Sequence, residues 1–136
     1  LVSINNLSSY SFDNLSRMLD AASEEPDIER DLSRAHWIIM ATLGDSDEIS
    51  SNKIMKRFLA ERPDLFQQKR IIVFAFSAPY YLDATNISKL TAYFALYSKA
   101  TPFIAAAAYL LFGELRAAGA SPVSVPGIGY NLNNAL

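Results

Sequence analysis

The stretch that decides the fold is Arg70–Ser98, RIIVFAFSAPYYLDATNISKLTAYFALYS. Two apolar runs, Ile71–Phe76 and Ala92–Tyr97, flank a segment rich in turn and capping residues. Neither run alternates cleanly, and both are dense in β-branched and aromatic residues, the pattern of strands buried on both faces of a sheet that carries helices on each side. Ser77-Ala78-Pro79 ends the first run, because proline lacks a donor and drives its predecessor away from helical geometry. Asp83, Thr85 or Asn86 then supplies a cap for a short helix over Ile87–Leu90. The unit reads strand, loop, short helix, strand, with parallel pairing across a crossover shorter than usual.

Working outward, His36–Leu43 (HWIIMATL) is a further buried strand, broken by Gly44. The expected sheet therefore uses strands near 36–43, 70–76 and 91–97, and the chain belongs to the α/β class. Ser8, Ser9 and Ser11 offer caps for a helix over Phe12–Asp20, whose apolar stripe is Phe12, Leu15, Met18 and Leu19. That stripe reads as core rather than as a partner groove. Pro26 suits the first turn of a second helix with Ile28, Leu32 and Ala35 on its apolar face. A third helix is expected over Asn52–Arg62, capped by Ser46, Asp47 or Ser50 and burying Ile54, Met55, Phe58 and Leu59. Arg62-Pro63-Asp64 ends it or opens a last irregular turn. Thr101 and Pro102 mark the start of a helix over Phe103–Leu115, which is apolar nearly all round and expected to be mostly buried. Gly119 can stop the chain after that helix. Ser121–Val125 alternates weakly beside a proline and suits only an edge strand.

Composition bounds the function. With 136 residues there is room for one domain that buries roughly 65–70% of its unfolded surface. Hydrophobic residues at 51% and charged residues at 19% exclude a disordered chain. A net charge of −2 leaves no electrostatic footprint for nucleic acid or an anionic membrane, so neither is an expected partner. There is no cysteine and one histidine, His36, so neither a thiolate metal site nor a histidine cluster can form, and no cofactor or metal is expected. No G-x-S-x-G elbow is present, and no G-x-G-x-x-G or Walker pattern follows a strand. The Gly127-Ile128-Gly129 pair precedes no helix. The longest apolar run, Pro102–Phe112, is too short to span a bilayer. Beginning at Leu1 without methionine or leader, the chain is expected to be a fragment of a longer one.

The one candidate site is the loop after Gly44, which carries Asp45, Asp47 and Glu48. In a parallel α/β sheet it lies at the carboxyl end of a strand, where ligands bind. Acidic residues also gather at helix N-termini because the dipole favours them, and capping is the preferred reading.

Residues 70–132 resemble the C-terminal α/β domain of glycoside hydrolase family 3, in its β-N-acetylhexosaminidase branch. The carrying segments are Val73–Asp83 (VFAFSAPYYLD), Leu90–Ser98 (LTAYFALYS), Ala107–Leu115 (AAYLLFGEL) and Gly119–Gly127 (GASPVSVPG). Four such segments in order make a fairly specific signal; the first seventy residues match only in general pattern. The resemblance implies a three-layer α/β sandwich with an antiparallel edge strand near 121–125, following a catalytic (β/α)₈ barrel of the same protein. It also implies a carbohydrate substrate for that parent enzyme and an accessory role for this domain. In the family the nucleophilic aspartate belongs to the barrel. The hexosaminidase acid/base histidine and aspartate lie on a barrel loop in a K-H-F-P-G-H-G-like neighbourhood. His36, in A-H-W-I, matches no such motif, so no catalytic residue carries over. The β-glucosidase branch does draw an acid/base carboxylate from its C-terminal domain, which keeps Asp45, Asp47 and Glu48 as candidates. The family domain is longer than this chain, which implies that an N-terminal strand–helix unit is missing here.

The expected function is thus an accessory domain packed on a catalytic barrel, with self-association of the isolated chain expected from its apolar last helix. The alternative is a free-standing flavodoxin-like receiver or ligand-binding module. Such a receiver needs an acidic pair after its first strand, and none follows Leu1–Ile4; Ser98-Lys99 before Thr101-Pro102 only loosely echoes its lysine–proline feature.

Overall fold

The computed structural model describes residues 7–21, 25–43, 51–77 and 82–118. Among them six helices surround an open parallel sheet of three strands, β1 (Trp37–Thr42), β2 (Arg70–Ala75) and β3 (Ala92–Ala95), in that order. The helices are α1 (Phe12–Asp20), α2 (Pro26–Arg34), α3 (Ser51–Glu61), α4 (Pro63–Phe66), α5 (Ala84–Ile87) and α6 (Thr101–Leu111). The α/β class and the parallel pairing of the three expected strands are as the sequence predicts. The expected edge strand at 121–125 and Gly119 lie outside the described residues.

Local chemistry explains the helix starts. Ser11 closes a capping box on α1: its Oγ accepts from the Asn14 N–H (3.1 Å), and Asn14 Oδ1 accepts from the Ser11 N–H (3.2 Å). Pro26 and Pro63 open α2 and α4, where a missing N–H costs nothing. Asp83 caps α5 by accepting from the Asn86 N–H at 2.8 Å, so that helix starts at Ala84 and ends at Ile87 rather than covering Ile87–Leu90.

The register pairs Ile38 with Ile71 and Met40 with Val73, and these side chains point to one face. There they join Leu15 and Met18 of α1, Ile28 of α2, Met55, Phe58 and Leu59 of α3, and Leu65 and Phe66 of α4 in the larger core. Lysines tie helix ends to the sheet connections. Lys69 Nζ donates to the Leu32 carbonyl near the end of α2, and Lys89 Nζ donates to the Leu59 carbonyl of α3 at 2.9 Å. Both put a cation where the helix dipole is negative.

The outer helices are laced by charge. Arg62 is held by Glu29 and Asp64, and Arg57 bridges Asp20 and Glu61. Asp31 on α2 accepts from the hydroxyls of Ser8 (2.6 Å) and Tyr10 (2.7 Å), which ties residues 7–10 to the helix. The Ser8 hydroxyl, then that of Tyr10, then Arg30 hold the Asp31 carboxyl down to about 2. Because the folded value is depressed, this tether is complete above the ordinary carboxylate range near pH 4. It is lost as pH falls from there through about 2. In Asp31→Asn the exchange of backbone amides at 8–10 is expected to be fast already at neutral pH. In the parent chain it quickens only over that acid window. An Asp31 resonance titrating at its ordinary value would contradict the tether.

The second face is thinner. Ile72, Phe74 and Leu96, with Phe76, Ala92 and Phe94 beside them, pack against Ala107, Leu110 and Leu111 of α6. The rings of Phe74 and Phe94, adjacent in register, stack with centroids 5.3 Å apart. β2 is buried along both faces as expected, with only Arg70 exposed.

Three expectations are corrected. β1 is not buried on both faces. Ile38, Met40 and Thr42 are buried, whereas Trp37 and Ile39 stay 48% and 45% exposed, because α6, the described helix on their face of the sheet, packs over β2 and β3 and not over β1. The strand also excludes His36, which lies exposed in the bend before it. Secondly, α6 is not mostly buried. Only Ala107 is, while Phe103, Ile104, Tyr109 and Phe112 are exposed, because one helix resting on one sheet face can cover only a single stripe. The backbone ends this helix at Leu111. Gly113, at φ 73, takes the left-handed position, its N–H donating to the Leu110 carbonyl (3.2 Å) and that of Glu114 to the Tyr109 carbonyl (2.9 Å). Thirdly, Thr101 is already helical, and the N-cap is Ala100, whose N–H donates to Ser98 Oγ at 3.1 Å. No helix among the described residues is long and apolar enough to cross a membrane.

Candidate functional site

The parallel strands all end at one edge of the sheet. β1 stops at Thr42, β2 at Ala75 and β3 at Ala95, held level by the Phe76 N–H on the Thr42 carbonyl (2.9 Å) and the Leu96 N–H on the Ala75 carbonyl (2.8 Å). In an open α/β sheet that edge is where ligands sit.

Asp45, Asp47 and Glu48 lie outside the described residues, but the anchors of their loop are described. Ser51, the first residue of α3, clamps the end of β1 in both directions. Its Oγ accepts from the Leu43 N–H at 2.9 Å and donates to the Leu43 carbonyl at 2.7 Å. The carboxyl end of β1 and the N-terminus of α3 thus meet at Leu43 and Ser51. That arrangement favours negative charge.

Beneath the clamp lie two polar side chains that the sequence reading passed over. Thr42 is fully buried and Asn52 is 4% exposed, and neither Thr42 Oγ1 nor Asn52 Nδ2 has a hydrogen-bond partner. Their signal was readable in outline. Thr42 continues the inward register of Ile38 and Met40, and Asn52 shares the buried face of Met55 and Leu59, three and seven positions on. A buried hydroxyl without a partner costs about 1–3 kcal/mol. Thr42→Val, which removes the hydroxyl and nearly keeps the shape, is therefore expected to stabilise the chain by about 1 kcal/mol, read as a higher urea midpoint with unchanged slope. A lower midpoint would mean that the hydroxyl is bonded in solution.

At the ends of the other strands, Tyr97 holds φ 60, a left-handed geometry uncommon for a residue with a Cβ, and its ring is exposed. Tyr93, on β3, is half-buried, and burial pushes its hydroxyl up to about 12, so it stays protonated at neutral pH. Asp83, the described carboxylate nearest this edge in the chain, is committed to its cap. His36 sits just before the amino end of β1, with its carbonyl accepting from the Arg70 N–H. Among the described residues no group of three or more potential metal-binding side chains comes together. The described part of the edge offers hydroxyls and amides for hydrogen bonding, and no paired acid and base.

In comparisons with protein-family models, with curated proteins and with solved structures, nothing matches this chain.

Proposed function

We propose that this chain is an accessory C-terminal α/β domain of a family 3 glycoside hydrolase of the β-N-acetylhexosaminidase kind. It packs against a catalytic (β/α)₈ barrel contributed by the rest of the same protein, and the parent enzyme acts on a carbohydrate. The resemblance of the four segments between Val73 and Gly127 supplies the family. The observation that carries the accessory role is the apolar surface on one side of the sheet. There Tyr109 of α6 and Phe112 just past its end are exposed, while on β1 Ile39 and Trp37, whose ring lies under the Arg70 guanidinium at 4.9 Å, stay about half exposed. Exposed large apolar side chains on one side of a sheet support an interaction surface there. Helices on both faces of the sheet, α1–α4 on one and α6 on the other, support the three-layer sandwich that the resemblance implies, which has a further edge strand near 121–125. In the isolated chain the outward face of α6 supports self-association.

Retaining hydrolysis needs two groups flanking the glycosidic bond. In sequence this chain offers Asp45, Asp47 and Glu48, with neither the family's nucleophile nor its acid/base histidine motif. The purified chain is therefore expected to leave aryl N-acetylglucosaminides at the buffer rate. Turnover above background that disappears in Asp45→Ala or Glu48→Ala would overturn the accessory reading and make the loop a catalytic site.

A further inference from the structure

Charge is unevenly spread around the sheet. The segments that enter it at the amino ends of β1 and β2, residues 32–38 and 65–73, carry Arg34, Lys69 and Arg70 and no carboxylate. Contacts draw these segments together. Lys69 Nζ reaches back to the Leu32 carbonyl, the Arg70 N–H donates to the His36 carbonyl at 3.1 Å, and the Arg70 guanidinium lies 4.9 Å from the centre of the Trp37 ring. Arg34, at the end of α2, and Arg70 are both exposed. Arg17, Arg30, Arg57 and Arg62 each hold a carboxylate, whereas among the described residues Arg34 and Arg70 hold none. The carboxylates nearest to them in the chain are already engaged, Asp31 by Ser8, Tyr10 and Arg30, and Asp64 by Arg62.

Trp37 and Arg70 are partners in register, so both side chains stand on the face of Ile39 and Ile72. On that face α6 packs over β2 and β3 and leaves Ile39 and Trp37 about half exposed. A partner that covers Ile39 and Trp37 must therefore cover or border the guanidinium that lies on the Trp37 ring. Taking an unpaired cation out of water is costly, and a carboxylate brought by the partner offsets that cost. Arginine suits such a contact. Its weakly hydrated, planar group can rest on an aromatic ring while its N–H edge meets a carboxylate. Complementary charge of this kind sets partner choice and orientation.

We propose that the protein surface docked on this side of the sheet is acidic, with carboxylates paired to Arg70 and Arg34 beside an apolar contact on Ile39 and Trp37. In the accessory reading, on which this rests, that surface belongs to the catalytic barrel. Trp37 is the sole tryptophan and reports the contact directly. The probe is a short capped peptide with phenylalanine between runs of glutamate, set against the same peptide with serine in place of glutamate. At low salt the glutamate peptide is expected to change Trp37 emission and to bind at least about tenfold tighter than the serine peptide. That preference should vanish at about 0.5 M salt, where charges are screened within roughly 4 Å. Arg34→Gln combined with Arg70→Gln should abolish it, and Lys53→Gln, on α3 at the other face of the sheet, should leave it unchanged. The salt comparison uses the unaltered chain and stands even if a substituted one unfolds. Equal binding of the two peptides, or no response of Trp37 to either, overturns the proposal. Displacement of the peptide by inorganic phosphate at equal concentration also overturns it and makes the corner a small-anion site. A glutamate preference in a natural product that begins near Leu1 removes the barrel and leaves the acidic partner standing. No preference in a product that does carry a barrel removes the acidic partner alone.

Discussion

Phe58→Ala is expected to lower the unfolding free energy by about 3–5 kcal/mol, the range for deleting a large ring from a core that cannot collapse around the gap. Phe58 is fully buried in the middle of α3, where Ile54, Met55 and Leu59 form the rest of the inward stripe. Its ring lies 5.7 Å from that of Phe66, tilted by 52°, so the substitution also removes an aromatic pair joining α3 to α4. For a domain of this size the loss is a large part of the total stability. Urea titration should show the midpoint collapsing with the slope little changed. A loss under about 1 kcal/mol would mean that α3 does not pack on the sheet as described.

Ile71→Ala should cost about 2–5 kcal/mol, and the matching change at Ile39 less than about 1 kcal/mol. Both residues are isoleucines on neighbouring strands, and a hydrophobicity scale scores them alike. Ile71 is fully buried on the face covered by α1 to α5, next to Ile38 in register. Ile39 is nearly half exposed on the other face. Equal costs at the two positions would reverse the assignment of the faces or show that something covers β1 in solution.

The parts that were legible in the sequence are those set by neighbours in the chain. Ser11 and Asn14 meet within one turn, and the helix Phe12–Asp20 has the expected bounds. β2 was readable because Ile71–Ala75 contains nothing that tolerates water, and it is the central strand. β1 was readable as a strand, but not which of its faces is buried, and its burial alternates. Trp37, Ile39 and Ala41 are as apolar as Ile38 and Met40, and which set is covered depends on where α6 lands, far along the chain. The same long-range fact defeated the reading of α6. A helix apolar all round leaves its buried stripe undetermined, and here the small Ala107 takes the inside because it allows close approach to the sheet, while Tyr109 turns outward. At the carboxyl end of β1, the end of the strand was legible and the side chains that meet there were not. Gly44 and the acidic residues mark the end of β1, but the Ser51 clamp on Leu43 and the unpartnered Thr42 and Asn52 arise only when strand end and helix start are brought together.

The central claim is that this domain serves a catalytic barrel in its own protein, and the most direct measurement is the intact mass and N-terminal sequence of the natural product that contains Leu1–Leu136. The account predicts an extension of about 250 or more residues ahead of Leu1, enough for a (β/α)₈ barrel, carrying an aspartate nucleophile and a histidine–aspartate loop. A natural product that begins within a few residues of Leu1 would contradict it and leave a free-standing α/β module.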